Sequence, residues 1–566
     1  MDFKVEISKM MSKSLELESA EILEGIEVPP NAEMGDYAFP CFRLAKTLKK
    51  APSIIANEIV AKMEKKNFIS EIRVEGAYIN FFVDKSIFAK EVLDKILTEG
   101  KNYGKSDIGK GKTVVIDYSS PNIAKPFHVG HLRSTVIGNA IYKIHSFLGY
   151  TCKGVNHLGD WGTQFGKLIV AYNNWSSKEA VEDKGIEELM RIYVLFHDEV
   201  ETRPELEDEA RGWFMKMQNG ESEALLLWKW FYDISIREFD RVYDILGVKF
   251  DAYTGESFYN DKMEPIVEEL KEKNLLKESE GAMIVDLEEE KMSPCLIIRR
   301  DGGTLYATRD ITAAIYRKKI YDFEKCIYLT ALDQNLHFAQ VFKVIEKMGY
   351  DWSKNLVHVP FGLVSLDTGK LSTRKGNIIL MEELLKQAVQ ETEKIIEEKN
   401  PELENKKEVA KQVGIGAVIF NDLYNSRIKD VVFSWERMLS FEGETGPYVQ
   451  YTNARACSVL RKARVEGVDK RNIDFSLLTD ESSIEVCKLL NTFPDKVKEA
   501  ANKYEPSVVS RALMDIAQAF NKFYHDNPIL TSKEDVKSAR LAMVISVKMV
   551  LTIGLNLIGI GAPEQM

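Results

Sequence analysis

The clearest pattern of hydrophobic positions lies at Thr113–Ser119, TVVIDYS, where apolar and β-branched residues run together without alternation. Such a run predicts a strand buried on both faces, as in a parallel sheet. The loop SPNIAKP follows. A helical pattern then covers about 127–148, with Pro126 near its first turn and Gly149 just past its end. KGVNHLGDWG (Lys153–Gly162) reads as a second strand and its loop. Strand, loop, helix and strand open a doubly wound α/β domain. Strand-like runs return at Cys295–Arg300, Lys325–Thr330 and Leu356–Leu366. Between the second strand and these, about 175–275 is acidic and helical in pattern, and is expected to be an insertion. Residues 1 to about 105 mix helical patterns with the strand-like GAYINFFV (Gly76–Val83), ahead of a Gly/Lys-rich linker at Lys101–Lys112. From Met381 onward nearly everything reads as helix.

Length supports this division. A chain of 566 residues is too long for one core. The expected domains are 1–105 (α+β), 106–380 (Rossmann-like α/β with the helical insertion) and 381–566 (all-α). The net charge of -11 argues against nonspecific coating of nucleic acid but leaves room for a local basic patch. The six cysteines form no CxxC pair, so neither a disulfide framework nor a bound metal is indicated. The N-terminus lacks the apolar core of a signal peptide. Leu541–Ala562 is long enough to span a bilayer, but Lys548 and Asn556 interrupt it and it closes a helical region. It is expected to be a buried bundle helix, in a cytoplasmic protein with no membrane contact.

Two segments carry chemistry. Lys125-Pro126-Phe127-His128-Val129-Gly130-His131 follows a strand and opens a helix, where free N–H groups attract phosphate. His128 and His131 are three apart and share a helix face, and Gly130 lets a flat ring approach the backbone. Two imidazoles and the Lys125 amine suit a triphosphate. The same HxxH would also suit half a metal site or two ordinary surface histidines. Downstream, Lys370-Leu371-Ser372-Thr373-Arg374-Lys375-Gly376 sets three cations among Gly, Ser and Thr. Such a loop can close over a pyrophosphate leaving group, although a short basic run is more commonly a solvated loop.

Taken together, HVGH and KLSTR resemble the HIGH and KMSKS signatures of class I aminoacyl-tRNA synthetases. DYSSPNIAKPFHVGHLRST, NHLGDWGTQFG, DGGTLYATRDI, TGPYVQYTNAR, ALMDIAQAFNKFYHD and GLNLIGIGAPEQM are similar to the arginyl-tRNA synthetase family in particular. The resemblance covers essentially the whole chain. It implies activation of L-arginine by ATP with Mg²⁺ to arginyl-adenylate, then transfer to the terminal adenosine of tRNA(Arg), by a monomer. ATP would be held by His128, Gly130, His131, Lys370 and Ser372. Lys125, His128, His131 and Lys370 would be the catalytic groups. Leu371 and Thr373 depart from KMSKS, and the family pattern implies that Lys125 substitutes for the missing second lysine.

The same resemblance implies an arginine pocket of Asp117, Ser119, Asn122, Tyr306, Asp310 and Gln334. Ser119 and Asn122 would lie nearer the backbone end of the amino acid. Carboxylates suit a guanidinium because they accept two parallel hydrogen bonds. Tyr306 and Asp310 are four apart and share a face if helical. Without the resemblance, Asp117 reads more readily as a helix cap or turn residue and Tyr306 as a core aromatic. The N-terminal domain would contact the tRNA elbow, with Asn80 and Phe82 on one strand face and Arg43–Ser53 supplying positive charge. The alternative for that run is a core strand. The C-terminal helices would bind the anticodon, and tRNA would be required for activation.

Other readings fit less of the chain. A cysteinyl enzyme would need zinc and thiolates. A small nucleotidylyltransferase leaves the helical C-terminal region unexplained, and an inactive RNA-binding module leaves the intact His128, His131, Lys125 and Lys370 unexplained. Affinity for tRNA is expected to fall steeply with added salt despite the negative net charge. A filter-binding series that stays flat with salt would contradict phosphate contact.

Overall fold

The computed structural model describes residues 2–15, 18–29, 31–300, 302–366, 379–465 and 473–566. These form two compact units. One comprises Met1–Tyr103, Ala456–Thr492 and Asp515–Val550, and the other Gly104–Arg455, Phe493–Met514 and Leu551–Met566.

In the first unit, β1 (Tyr37–Pro40), β2 (Ile69–Glu75) and β3 (Tyr78–Val83) make an antiparallel sheet with β3 in the centre. Gly76 turns the β2–β3 hairpin at φ +60, a conformation open to glycine. Asp84 ends β3 and starts the helix Lys85–Glu99 by accepting from the Ser86 and Ile87 amides. Phe3 of the first helix packs between Phe68 and Phe88. This N-terminal segment is therefore α+β.

The second unit is built on five parallel strands, β4 (Thr113–Asp117), β5 (Thr151–Asn156), β6 (Ala252–Tyr253), β10 (Lys325–Tyr328) and β11 (Leu356–His358), in the order β11-β10-β4-β5-β6. Val114, Val115 and Ile116 have no exposed surface, as a strand covered on both faces requires. Asp117 pairs in register with Tyr328 and with Val155, so the loops after these strands leave from one edge. The chain runs from β4 to one side and later to the other, which makes β4 the switch point where such sheets bind ligands.

The structure differs from the sequence expectation in three places. The helices between β5 and β6 run from Thr163 to Leu246, and the sheet resumes at Ala252 rather than after 275. Two residues are too few for periodicity to mark β6. Cys295–Ile298 (β9) belongs to a separate antiparallel sheet with β7 (Leu276–Ser279) and β8 (Ala282–Val285). The run Leu356–Leu366 divides into β11 and β12 (Val364–Leu366), and β12 pairs with β13 (Val431–Phe433) inside the helical region. Gly362 between them has no room for a side chain, since a Cβ would lie 2.7 Å from the Lys429 carbonyl.

The helix Glu534–Leu557 is long and apolar enough to cross a membrane, but 72% of its most apolar window is buried inside the structure. That is the environment of a core helix.

A buried ion pair fastens the helix after HVGH to the helix Lys406–Leu423. Arg133 Nε lies 2.7 Å from Asp422 Oδ1, with both side chains almost without exposure, and Arg133 Nη1 donates to the Lys429 carbonyl at 2.6 Å. Removing one partner strands the other charge. Asp422→Ala is expected to cost about 3–5 kcal/mol of stability. The double variant Arg133→Met, Asp422→Leu should recover much of that loss. Thermal melts of the three proteins check it, and equal losses in single and double variants would contradict it.

Candidate active site

The loop after β4 is held in a costly conformation. Ser119, Ser120 and Ala124 have φ of 69, 49 and 59, where non-glycine residues are strained by about 1 kcal/mol or more each. Side chains hold it there. Ser134 Oγ accepts from the Ser119 amide at 2.8 Å, Asn156 Oδ1 from the Ser120 amide at 3.2 Å, and Ser235 Oγ from the Ala124 amide at 2.8 Å. The buried Ser119 hydroxyl bonds Thr135 at 2.8 Å and Tyr243 at 2.7 Å. Ser119 is thus part of the wall's framework.

HVGH begins as a single 3-10 turn, Val129–His131, leading into the helix Leu132–Phe147. The two histidines come together by capping that turn. His128 Nδ1 accepts from the Gly130 amide at 3.0 Å, and His131 Nδ1 accepts from the His128 amide at 3.2 Å. Their rings lie 4.0 Å apart. Burial, with the Lys125 charge second, lowers the His128 pKa. Burial, followed by the neighbouring His128, holds His131 down to about 3. Both rings are therefore neutral near pH 7. Each has spent its Nδ1 lone pair on a backbone N–H, so each must carry its proton on Nε2. The result is a pair of neutral Nε2–H donors. The space left by Gly130 is filled by the His128 ring itself, since a Cβ there would meet His128 Cε1 at 2.7 Å.

Lys125 is half-buried, with Nζ 5.7 Å from the Tyr193 ring. Lys370 and Ser372 lie outside the described residues. The residues that follow them pair with the first motif: the Val129 amide donates to the Ile379 carbonyl at 3.2 Å, and the Met381 amide to the Phe127 carbonyl at 2.9 Å.

A cavity of about 530 Å³ opens at the carboxyl edge of the sheet. Asp117, Ser119, Asn122, Gly130, His131, Tyr306, Asp310 and Gln334 all line it. Tyr306 and Asp310 lie on the helix Tyr306–Tyr321, and Tyr306 is exposed. Asp117 is already engaged. Arg317, itself buried, reaches its Oδ2 at 2.8 Å, and the Ser120 hydroxyl donates to its Oδ1 at 2.9 Å.

Sequence reasoning missed four titratable residues that also line the cavity: His157, Glu256, Arg309 and His337. Glu256 lies on the stretch assigned to the insertion, and no periodicity marks it. Burial pushes its carboxyl up to about 7, against the pull of Arg309 Nη1 at 3.3 Å. His157 and Arg309 sit inside NHLGDWG and YATRD, beside residues that did attract attention. Asp310 is met by His337 Nε2 at 2.5 Å, while His157 Nε2 stands 3.9 Å away.

In the first unit, Asn80 is 3% exposed, so its amide is covered, while the Arg73 guanidinium lies 4.6 Å over the half-buried Phe82 ring. Arg43, Lys46, Lys49 and Lys50 are exposed.

Residues 92–435 match the family of class I (R) tRNA synthetase catalytic domains, residues 449–566 the DALR anticodon binding domain, and residues 1–83 the arginyl tRNA synthetase N-terminal domain. The chain is 57% identical over 566 residues to the arginine–tRNA ligase of Alkaliphilus metalliredigens, covering all of both. It is also 57% identical over its full length to the arginine–tRNA ligase of Clostridioides difficile. The arginyl-tRNA synthetase structure from Thermus thermophilus superposes with a TM-score of 0.83 at 25% identity, over all of both chains.

Burial lowers His128 and His197, and holds three further histidines far below their ordinary value, His131 to about 3 and His145 and His358 to about 4. Each contributes stability that is present above the unfolded value of 6.5 and is lost as pH falls toward these folded values. The melting temperature is expected to fall between about pH 6.5 and 4. The slope should be shallower by about one proton in His145→Gln. Calorimetry across that range checks it, and an unchanged slope would contradict it.

Proposed function

The chain belongs to the class I arginyl-tRNA synthetases, and from that membership we propose how its residues divide the reaction. It is an arginine–tRNA ligase, an ATP-dependent enzyme joining arginine to tRNA. The single observation that carries the residue assignment is the cavity at the carboxyl edge of the sheet, where Asp310 and Glu256 lie beside the HVGH turn.

Asp310 and Glu256 take the guanidinium of L-arginine, with Tyr306 over its plane and Gln334 at its edge. Asp117, counted among the pocket residues by resemblance, supports the floor through Arg317 instead of facing the ligand alone. Asn122 takes the backbone end, with Ser119 behind it. Lysine in this site would leave carboxylate lone pairs unmatched, which is costly in a dry pocket.

ATP enters with Mg²⁺ as a substrate complex. Its triphosphate meets the Nε2–H donors of His128 and His131, the exposed backbone at Gly130, and the cations Lys125 and Lys370, with Ser372 alongside. The arginine carboxylate oxygen attacks the α-phosphorus, the bond to the bridging oxygen breaks, and pyrophosphate leaves with that electron pair. Neutral donors stabilise the growing charge without a proton transfer, so the protein's part is positioning and electrostatics. The hydroxyl of the tRNA terminal adenosine then attacks the arginyl carbonyl, and AMP leaves.

The remaining assignments are the tRNA elbow at 1–105, through the half-buried Phe82, with Asn80, expected to share that role, covered in the same strand and supporting it, and the anticodon within 381–566. Catalysis belongs to 106–380. The enzyme acts as a monomer in the cytoplasm.

Arginine-dependent exchange of pyrophosphate into ATP is expected only with arginine, and only when tRNA is present. His131→Ala and Lys370→Ala should each slow exchange by about a hundredfold or more while the melting curve is kept. Normal rates in both variants would sink the assignment of these residues. Exchange with lysine or cysteine would overturn the pocket.

A further inference from the structure

The charges in the cavity wall nearly cancel. Asp117 is matched by Arg317 at 2.8 Å, and Glu256 by Arg309 at 3.3 Å. Among the described residues, Asp310 has no arginine or lysine paired with it. Its two neighbours are imidazoles, His337 Nε2 at 2.5 Å from Oδ2 and His157 Nε2 at 3.9 Å from Oδ1. His157 Nδ1 lies 2.9 Å from the Thr254 carbonyl, which can only accept. A neutral His157 therefore carries its proton on Nδ1 and turns a bare Nε2 toward Asp310. Oδ1 thus faces the cavity with no donor from that side, while Oδ2 is taken.

We propose that His337 is the positioning residue of the guanidinium site, donating Nε2–H to Asp310 Oδ2 so that Oδ1 is presented to the substrate. This rests on reading the cavity as the arginine pocket. The hydrogen bond fixes the plane of the carboxylate against which a guanidinium would align. His337 then tunes the substrate's affinity without touching the reacting atoms.

Asp310 on the helix Tyr306–Tyr321 faces His337 directly, His157 on the loop after β5 stands on the other side of Asp310, and His358 on β11 is held down to about 4 by burial first, then by Arg427 and His337. Glu256, pushed up to about 7, also titrates in this cavity and is a separate source of pH dependence.

The test is the KM for arginine and for ATP in the tRNA-dependent reaction. Wild type, His337→Ala, His337→Gln and Asp310→Asn are compared between about pH 6 and 8. Gln keeps an N–H at the reach of Nε2 but cannot be protonated. His337→Ala should raise the arginine KM by about tenfold, with the ATP KM and kcat within about twofold. His337→Gln should restore the arginine KM to within about threefold of wild type at pH 8, because the donor is replaced. An acid-side rise in the arginine KM shared by wild type and His337→Gln belongs to Glu256. An unchanged arginine KM in His337→Ala or no recovery in Gln would each overturn the proposal. Asp310→Asn separates the two readings. If its arginine KM is normal the pocket itself is misassigned, and if it is raised while His337→Ala is normal only the role of His337 fails.

Discussion

An ionised carboxylate in a cavity wall needs a fixed counter-charge, and the sheet unit is arranged around that requirement. Arg317 lies beneath the floor for Asp117, and Arg309 sits in the wall for Glu256. The helix Tyr306–Tyr321 supplies both cations together with Asp310, so one element sets the sign of the pocket. Burial still pushes Glu256 up to about 7 against the pull of Arg309, which shows how far an unmatched carboxylate in this wall would be driven. The buried Arg133–Asp422 pair applies the same rule between two helices.

At the HVGH turn, folding and chemistry use the same hydrogen bonds. The two Nδ1 atoms satisfy amides that a helix start leaves open, and in doing so fix the protons on Nε2. The strained backbone at Ser119, Ser120 and Ala124 shows the same economy, since the side chains of Ser134, Asn156 and Ser235 that hold it are also wall and core.

Much of this could be read from the residues. The run TVVIDYS announces a buried parallel strand because it lacks alternation, and the four-residue spacing of Tyr306 and Asp310 puts them on one face of the helix Tyr306–Tyr321. What periodicity could not carry was anything decided by long-range pairing. β6 is two residues long, β9 leaves the main sheet for another, and β12 finds its partner at Val431–Phe433 inside a helical region. The site had the same blind spot. Asp117 was legible as a carboxylate at a strand end, but its engagement by Arg317, two hundred residues on in the chain, was not. Glu256 looks like any other residue of an acidic stretch until burial sets it beside Arg309.

The pairing of Phe127–Val129 with Ile379–Met381 has a bearing on how the chain is made. The HVGH turn emerges from the ribosome early, yet the backbone that flanks it comes about 250 residues later, and residues 551–566 belong to the same compact unit. Closing a loop of that length is entropically costly and slow. During synthesis the half-built sheet must wait, with apolar strand faces uncovered, for segments not yet translated. The unit is therefore a natural client for chaperones while it grows, and it becomes self-sufficient only when its distant parts meet.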